Sequence, residues 1–104
     1  MDYVKVNFRE YIRPKHVYMV TGDTARWVRV IPEDVNLSGT VSVEYRRPDG
    51  TSDEVPAVLD EYGAAVAEAD AMIEQEGTVM CMLKVVDGGK TIRSFPFFII
   101  SVAD

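Results

Sequence analysis

The chain has one cysteine, one histidine and one tryptophan among its 104 residues. A lone thiol, Cys81, cannot close an internal disulfide, and a cysteine-based zinc site needs several thiols, so stability has to come from packing. The lone histidine, His16, stands beside the Arg13-Pro14-Lys15 break with no nucleophile motif around it, so no hydrolytic triad is legible and a surface or loop position is expected. No apolar run approaches the roughly 20 residues that span a bilayer. The longest, Phe95 to Ile100, is interrupted by Pro96. The first residues alternate polar and apolar side chains and lack a basic region followed by an apolar block, so they do not read as a secretory signal; the expectation is a chain made and kept in the cytosol. Cations are also short: 11 against 17 acidic residues give a net charge of −6, which repels phosphate backbones and anionic lipid surfaces. Neither nucleic acid nor a membrane is expected as a partner, and nothing in the pattern calls for a cofactor.

What remains is enough for one core. Apolar residues make up 47% of the chain, and the length is that of a single domain over residues 1–104. Helical periodicity is nearly absent, while short stretches of period-two alternation recur between turn residues, the pattern of a β-sandwich or barrel. Val4, Val6 and Phe8 mark a first strand and Val17 to Val20 a second. Val28 and Val30 face one side of a third, with Trp27, Arg29 and Ile31 on the other. Pro32 closes it and Leu37-Ser38-Gly39 forms a corner. Val41, Val43 and Tyr45 then alternate with polar residues, and Arg47-Pro48-Asp49-Gly50-Thr51 turns the chain back. A strand through Val55, Ala57 and Leu59 reverses at Asp60 to Gly63 into Ala64 to Ala67, whose small side chains suggest a thin or edge element. Asp70 is expected to cap a short helical turn through Ile73, stopped by Gly77. Two long strands, Thr78 to Val86 and Lys90 to Val102, are joined at Asp87-Gly88-Gly89. Pro96 cannot donate to a ladder, so it implies an edge position or a bulge between Phe95 and Phe97. The fold class expected is an all-β antiparallel sandwich with one short helical turn.

Candidate chemistry is sparse. Cys81, between Met80 and Met82, reads as a buried, inert thiol. Asp49, Asp53, Glu54, Asp60 and Glu61 lack the spacing of a calcium loop and read as a solvated acidic face, so no metal ligand is assigned. Trp27, Tyr11, Tyr18 and Tyr62 are the aromatics that could serve a sugar or protein platform, with Trp27 expected in the core.

From residue 21 onwards the order of signals resembles the N-terminal domain of phage baseplate upper proteins and related tail-fibre proteins of Gram-positive hosts. The residues that carry it are Gly22-Asp23-Thr24, Leu37-Ser38-Gly39, Arg47-Pro48-Asp49-Gly50-Thr51, the turn from Asp70 to Gly77, and Phe95-Pro96-Phe97. Two features depart from the pattern: Pro96 sits inside the last strand, and such proteins usually continue past the point where this chain stops at Asp104. The resemblance implies an immunoglobulin-like antiparallel β-sandwich that serves as an anchoring domain of a tail or baseplate assembly on the virion, put together in the host cytoplasm, without catalysis or cofactor, and trimeric in a longer form.

Two function classes follow. One is a structural module that docks onto baseplate or tail proteins; the other is a carbohydrate-binding module of a cell-surface protein. A small hydrolase ranks last. For docking, the sequence singles out the last strand, where Phe97 to Ile100 place apolar side chains on both faces. Phe98 and Ile100 are the candidate interface residues, and either the second face of the strand or the chain leaving Asp104 is expected to meet another subunit. Exposed aromatics in one shallow row would instead favour sugar.

Overall fold

The computed structural model describes residues 2–103; the expectation about the chain leaving Asp104 lies outside them. The strands are β1 (Asp2–Val6), β2 (His16–Val20), β3 (Trp27–Pro32), β4 (Thr40–Arg46), β5 (Ser52–Leu59), β6 (Ala65–Glu68), β7 (Gly77–Asp87), β8 (Lys90–Arg93) and β9 (Phe97–Val102), with one 3-10 turn at Asp70–Met72. The chain is all-β, and the alternation read from the sequence holds strand by strand. Val4 and Val6, Val17 and Met19, Val28 and Val30, and Val41, Val43 and Tyr45 all point into one core.

The pairing differs from an all-antiparallel arrangement. The strands follow one path, β1-β3-β6-β5-β4-β7-β9-β2, with β8 attached to β7. Two pairs on that path are parallel, Val4 of β1 with Val30 of β3 and Tyr18 of β2 with Ile100 of β9. Alternation fixes which face a side chain takes but carries no information about strand direction. After β1 the chain crosses to the far end of the path as β2 and returns as β3 beside β1, and such a crossover permits parallel neighbours. β1 and β2, the two ends of the path, then lie beside each other without a ladder between them, so the sheet is nearly closed and barrel-like.

β5 bends the sheet. Ser52 to Pro56 pair with β4, whereas Ala57 to Leu59 pair with β6. Pro56, which has no N–H to give, stands at the changeover. β6 is no edge: it is laddered to β3 on one side and β5 on the other. Ala65 and Ala67 are fully buried there, and their smallness leaves room for the bulky Phe97, Leu83 and Met19 of the same core.

The hairpin at Asp87-Gly88-Gly89 forms, but its second arm is broken into β8 and β9. Lys84 pairs with Arg93 and Cys81 with Phe97, so three steps along β7 face four along its partner. The extra residue is a bulge. Ser94 holds it: its N–H donates to the Leu83 carbonyl at 2.8 Å and its Oγ accepts from the Leu83 N–H at 2.9 Å. Pro96 sits beyond these bonds and costs the ladder nothing. β9 is an interior strand between β7 and β2, so of the two expected positions for Pro96 the bulge is the one observed.

Asp70 does not cap the 3-10 turn. Its carboxylate accepts the backbone N–H groups of Ala25 and Arg26, both at 2.8 Å, and so ties the turn to the start of β3. A second carboxylate does the same for the long connection between β1 and β2. Asp34 accepts the N–H groups of Phe8, Arg9 and Glu10 at 2.8, 2.8 and 3.2 Å. Desolvation pulls its pKa up, but these bonds outweigh it and the net shift is downward.

Three outcomes test this architecture. Burial pushes the Cys81 thiol well above its ordinary pKa, so Ellman's reagent should fail to modify native protein and react only on unfolding; rapid modification would mean a wrong β7 register. Gly39 and Gly50 both have φ between +80° and +90°, but a Cβ on Gly50 meets open space, whereas one on Gly39 runs into the Val86 carbonyl and, at 2.9 Å, the Asp87 Cβ. Gly50→Ala should therefore cost about 1 kcal/mol from backbone strain alone, and Gly39→Ala clearly more in the same thermal melt. For Asp34 the sign follows from its lowered pKa: its bonds are fully present above the ordinary value of 3.8 and are lost as pH falls through the lower folded value. The amide resonances of Phe8, Arg9 and Glu10 should move together in that acid range, and a midpoint above 3.8 would contradict the geometry.

Candidate docking face on the outer side of β9

The bulge decides which side chains of β9 face out. Phe97, Ile99 and Ser101 are buried, while Phe98 and Ile100 are half-buried on the outer side and Val102 is exposed. Cross-strand register assembles a row from them. His16 of β2 lies opposite Phe98, which lies opposite Met80 of β7, which lies opposite Arg46 of β4. The next row is Tyr18, Ile100 and Thr78. The His16 ring stacks on Phe98 at 5.4 Å between centroids with 23° between planes. Tyr18 is 66% exposed although it stands on a ladder beside Ile100. Phe98 and Ile100, singled out from the sequence, thus lie on one sheet face with Tyr18, Met80, Met82 and Val102.

One flank of this face is closed by its own charges. Glu44 takes the Arg93 Nε at 2.6 Å, and Glu54 takes the Ser42 hydroxyl at 2.6 Å and the Lys84 Nζ at 3.2 Å. The Ser42 hydroxyl is the main reason the Glu54 pKa is lowered, with Lys84 adding to it. Arg46, at the end of the Phe98 row, has no carboxylate within ion-pair reach among the described residues.

The remaining sequence candidates disperse. Four of the five carboxylates read as a solvated face are engaged one by one: Asp49 by Thr51 and Gln75, Asp53 by Arg47, Glu54 as above, and Asp60 by Arg29 at 2.6 Å and the N–H groups of Tyr62 and Ala64. Asp49 is held to about 2, first by the Thr51 hydroxyl and then by the Gln75 amide. Trp27 is not a core residue: it is 41% exposed, because β3 buries Val28 and Val30 and the alternation turns Trp27 outward. Tyr11 packs edge-on against Phe95 at 5.4 Å. Tyr62 lies against the Arg29 guanidinium, 5.6 Å from its Cζ. Tyr3 was not among the sequence candidates, yet it is exposed opposite Arg29 on the β1–β3 face; its outward place in the Val4/Val6 alternation was the available signal.

No family model matches the chain, and no curated protein matches it. Among solved structures, the N-terminal domain of phage TP901-1 ORF48 superposes on it with a TM-score of 0.62 over 97% of each chain, at 10% sequence identity. The chain therefore has the fold of that phage domain, end to end, with almost none of its sequence.

Proposed function

We propose that this domain is a non-enzymatic structural module of a phage tail or baseplate that docks onto a partner protein through the outer face of β9. The observation that carries the reading is the placement of Phe98 and Ile100. An interior strand already laddered on both sides still offers apolar side chains outward, beside Tyr18, Met80 and Val102, and such a patch is what protein interfaces bury. The fold shared with a phage domain supports the phage assignment, as do the turn motifs that resemble baseplate upper proteins. On this reading the chain works on the virion as one domain, and a longer form is a homotrimer. The division of β5 between two ladders, Ser52 to Pro56 with β4 and Ala57 to Leu59 with β6, supports describing it as an immunoglobulin-like sandwich whose faces share a strand.

A second reading, a carbohydrate-binding module, is favoured by the exposed Tyr3, Trp27 and Tyr62 around Arg29 on the β3 face. It ranks second because Tyr62 is spent on Arg29 and the other exposed tyrosines, Tyr11 and Tyr18, lie elsewhere. Binding of host cell-wall polysaccharide that Trp27→Ala abolishes would reverse the order.

The test is co-expression of the chain with the tail and baseplate proteins encoded by its neighbouring genes, followed by affinity capture. Wild type should retain one of them. Phe98→Asp and Ile100→Asp should melt cooperatively yet lose the partner, because a charge left unpaired in an interface costs about 3 kcal/mol or more. Unfolding by both substitutions, with wild type capturing none of those proteins, would assign both faces of β9 to the fold itself and remove the docking reading.

A further inference from the structure

The cations of this acidic chain are unevenly satisfied. Arg26, Arg29, Arg47, Lys84 and Arg93 are each in an ion pair. Of the six that have none among the described residues, Arg46 and Lys90 stand apart, and Lys5, Arg9, Arg13 and Lys15 fall within eleven consecutive residues that hold one carboxylate, Glu10. All four side chains are exposed. Outside that segment the chain has 7 cations against 16 acidic residues. The segment is the end of β1 and the connection to β2, and it is held rigidly. Asp34 fixes its first turn, the Asn7 carbonyl accepts the Phe95 N–H at 2.8 Å, the Lys15 carbonyl accepts the Phe98 N–H at 2.9 Å, and Tyr11 packs on Phe95. The basic side chains therefore project from a fixed frame and not from a floppy loop, which lowers the entropic cost of binding to them.

This frame adjoins both the seam and the docking face. Tyr3, Val4, Lys5, Lys15 and His16 line a depression of about 320 Å³ between β1 and β2, whose facing edges are not laddered to each other. From the same depression His16 reaches Phe98. Resting on the docking reading above, we propose that the 5–16 segment receives an acidic stretch of the partner protein, laid along the β1–β2 seam while the partner's apolar surface covers Phe98 and Ile100. Charge selects the occupant. A second copy of this chain, at −6, and a long polyanion are repelled by the rest of the surface, whereas a short acidic stretch feels mainly the nearby cations. The Debye length is about 8–10 Å at physiological salt, well under the 40 Å long axis of the domain.

The test is an NMR titration of the ¹⁵N-labelled chain with hexaglutamate, hexalysine, a ten-nucleotide oligothymidylate and phosphatidylglycerol vesicles. Hexaglutamate should shift amides of residues 5–16 and weaken about fivefold or more between 20 and 200 mM salt, and hexalysine should leave them in place. The variant Arg9→Glu/Arg13→Glu/Lys15→Glu should lose the shifts at an unchanged melting temperature, since those side chains have no ion-pair or hydrogen-bond partners among the described residues; if it fails to fold, the triple glutamine variant replaces it. Phe98→Ala should leave the hexaglutamate titration intact, so failure of the docking face and failure of this patch are read separately. Absence of shifts in residues 5–16, persistence of binding in the triple variant, or tighter binding of the oligonucleotide or the vesicles at the same residues would each overturn the proposal.

Discussion

One extra residue between Arg93 and Phe97 sets the outer surface of this domain. In β8, Arg93 stands opposite Lys84 on the outer side of β7. Carried forward without a bulge, that register would turn Phe97 and Ile99 outward and bury Phe98 and Ile100, because a one-residue slip exchanges the faces of a strand. The bulge at Ser94 to Pro96 makes the exchange, and the core then receives Phe97, its largest fully buried side chain. Ser94 keeps the Leu83 N–H and carbonyl both satisfied inside the disrupted stretch, which a buried ladder break requires. Proline follows where no ladder N–H is missed. The outward facing of Phe98 and Ile100 and the His16–Phe98 stack both depend on that local arrangement.

How much of this was legible depends on which property a residue encodes. Facing was legible almost everywhere, because Val28 with Val30 and Val41 with Val43 and Tyr45 state it by alternation. Neighbours were not: nothing in Asp2 to Val6 says that its partner is β3 and runs parallel, since that follows from the crossover through β2. Small residues misled at Ala64 to Ala67, where they signal a tightly packed interior wall and not an edge. Trp27 shows a composition prior losing to parity, for a tryptophan is more often buried but the valine beside it took the inward place. Asp70 and Asp34 were misjudged or unnoticed for one reason: each carboxylate serves backbone groups 24 or more residues away, a relation no local pattern can reveal.

The same limit applied to the site. For the proposed docking face, what the sequence displayed was apolar residues on both parities of one strand, and the structure places Phe98 and Ile100 on its outer side. The cations of residues 5–15 were visible as letters, but their significance required knowing that five of the other seven cations are already spent on carboxylates. A net charge describes a molecule seen from far away; within a Debye length the unpaired groups matter more. Here the carboxylates mostly hold loops and strand neighbours, leaving four of the six cations without an ion pair among the described residues within the single segment 5–15.

On the docking reading proposed above, that division gives charge and apolar area separate tasks. Charges exposed at the rim of an interface act mainly on encounter and orientation, and they weaken with salt, whereas a desolvated apolar centre governs how slowly the complex comes apart. On that reading, Phe98 and Ile100 would supply the second kind of contact, which carries no direction of its own. Lys5, Arg9, Arg13 and Lys15 lie to one side of them, on a frame fixed by Asp34, so an incoming acidic partner would be turned about a defined axis before the apolar surfaces meet. For a module whose fold is shared with a phage domain at 10% identity, such a device would let the scaffold persist while partner choice shifts with the residues on a connecting loop and the outer face of one strand.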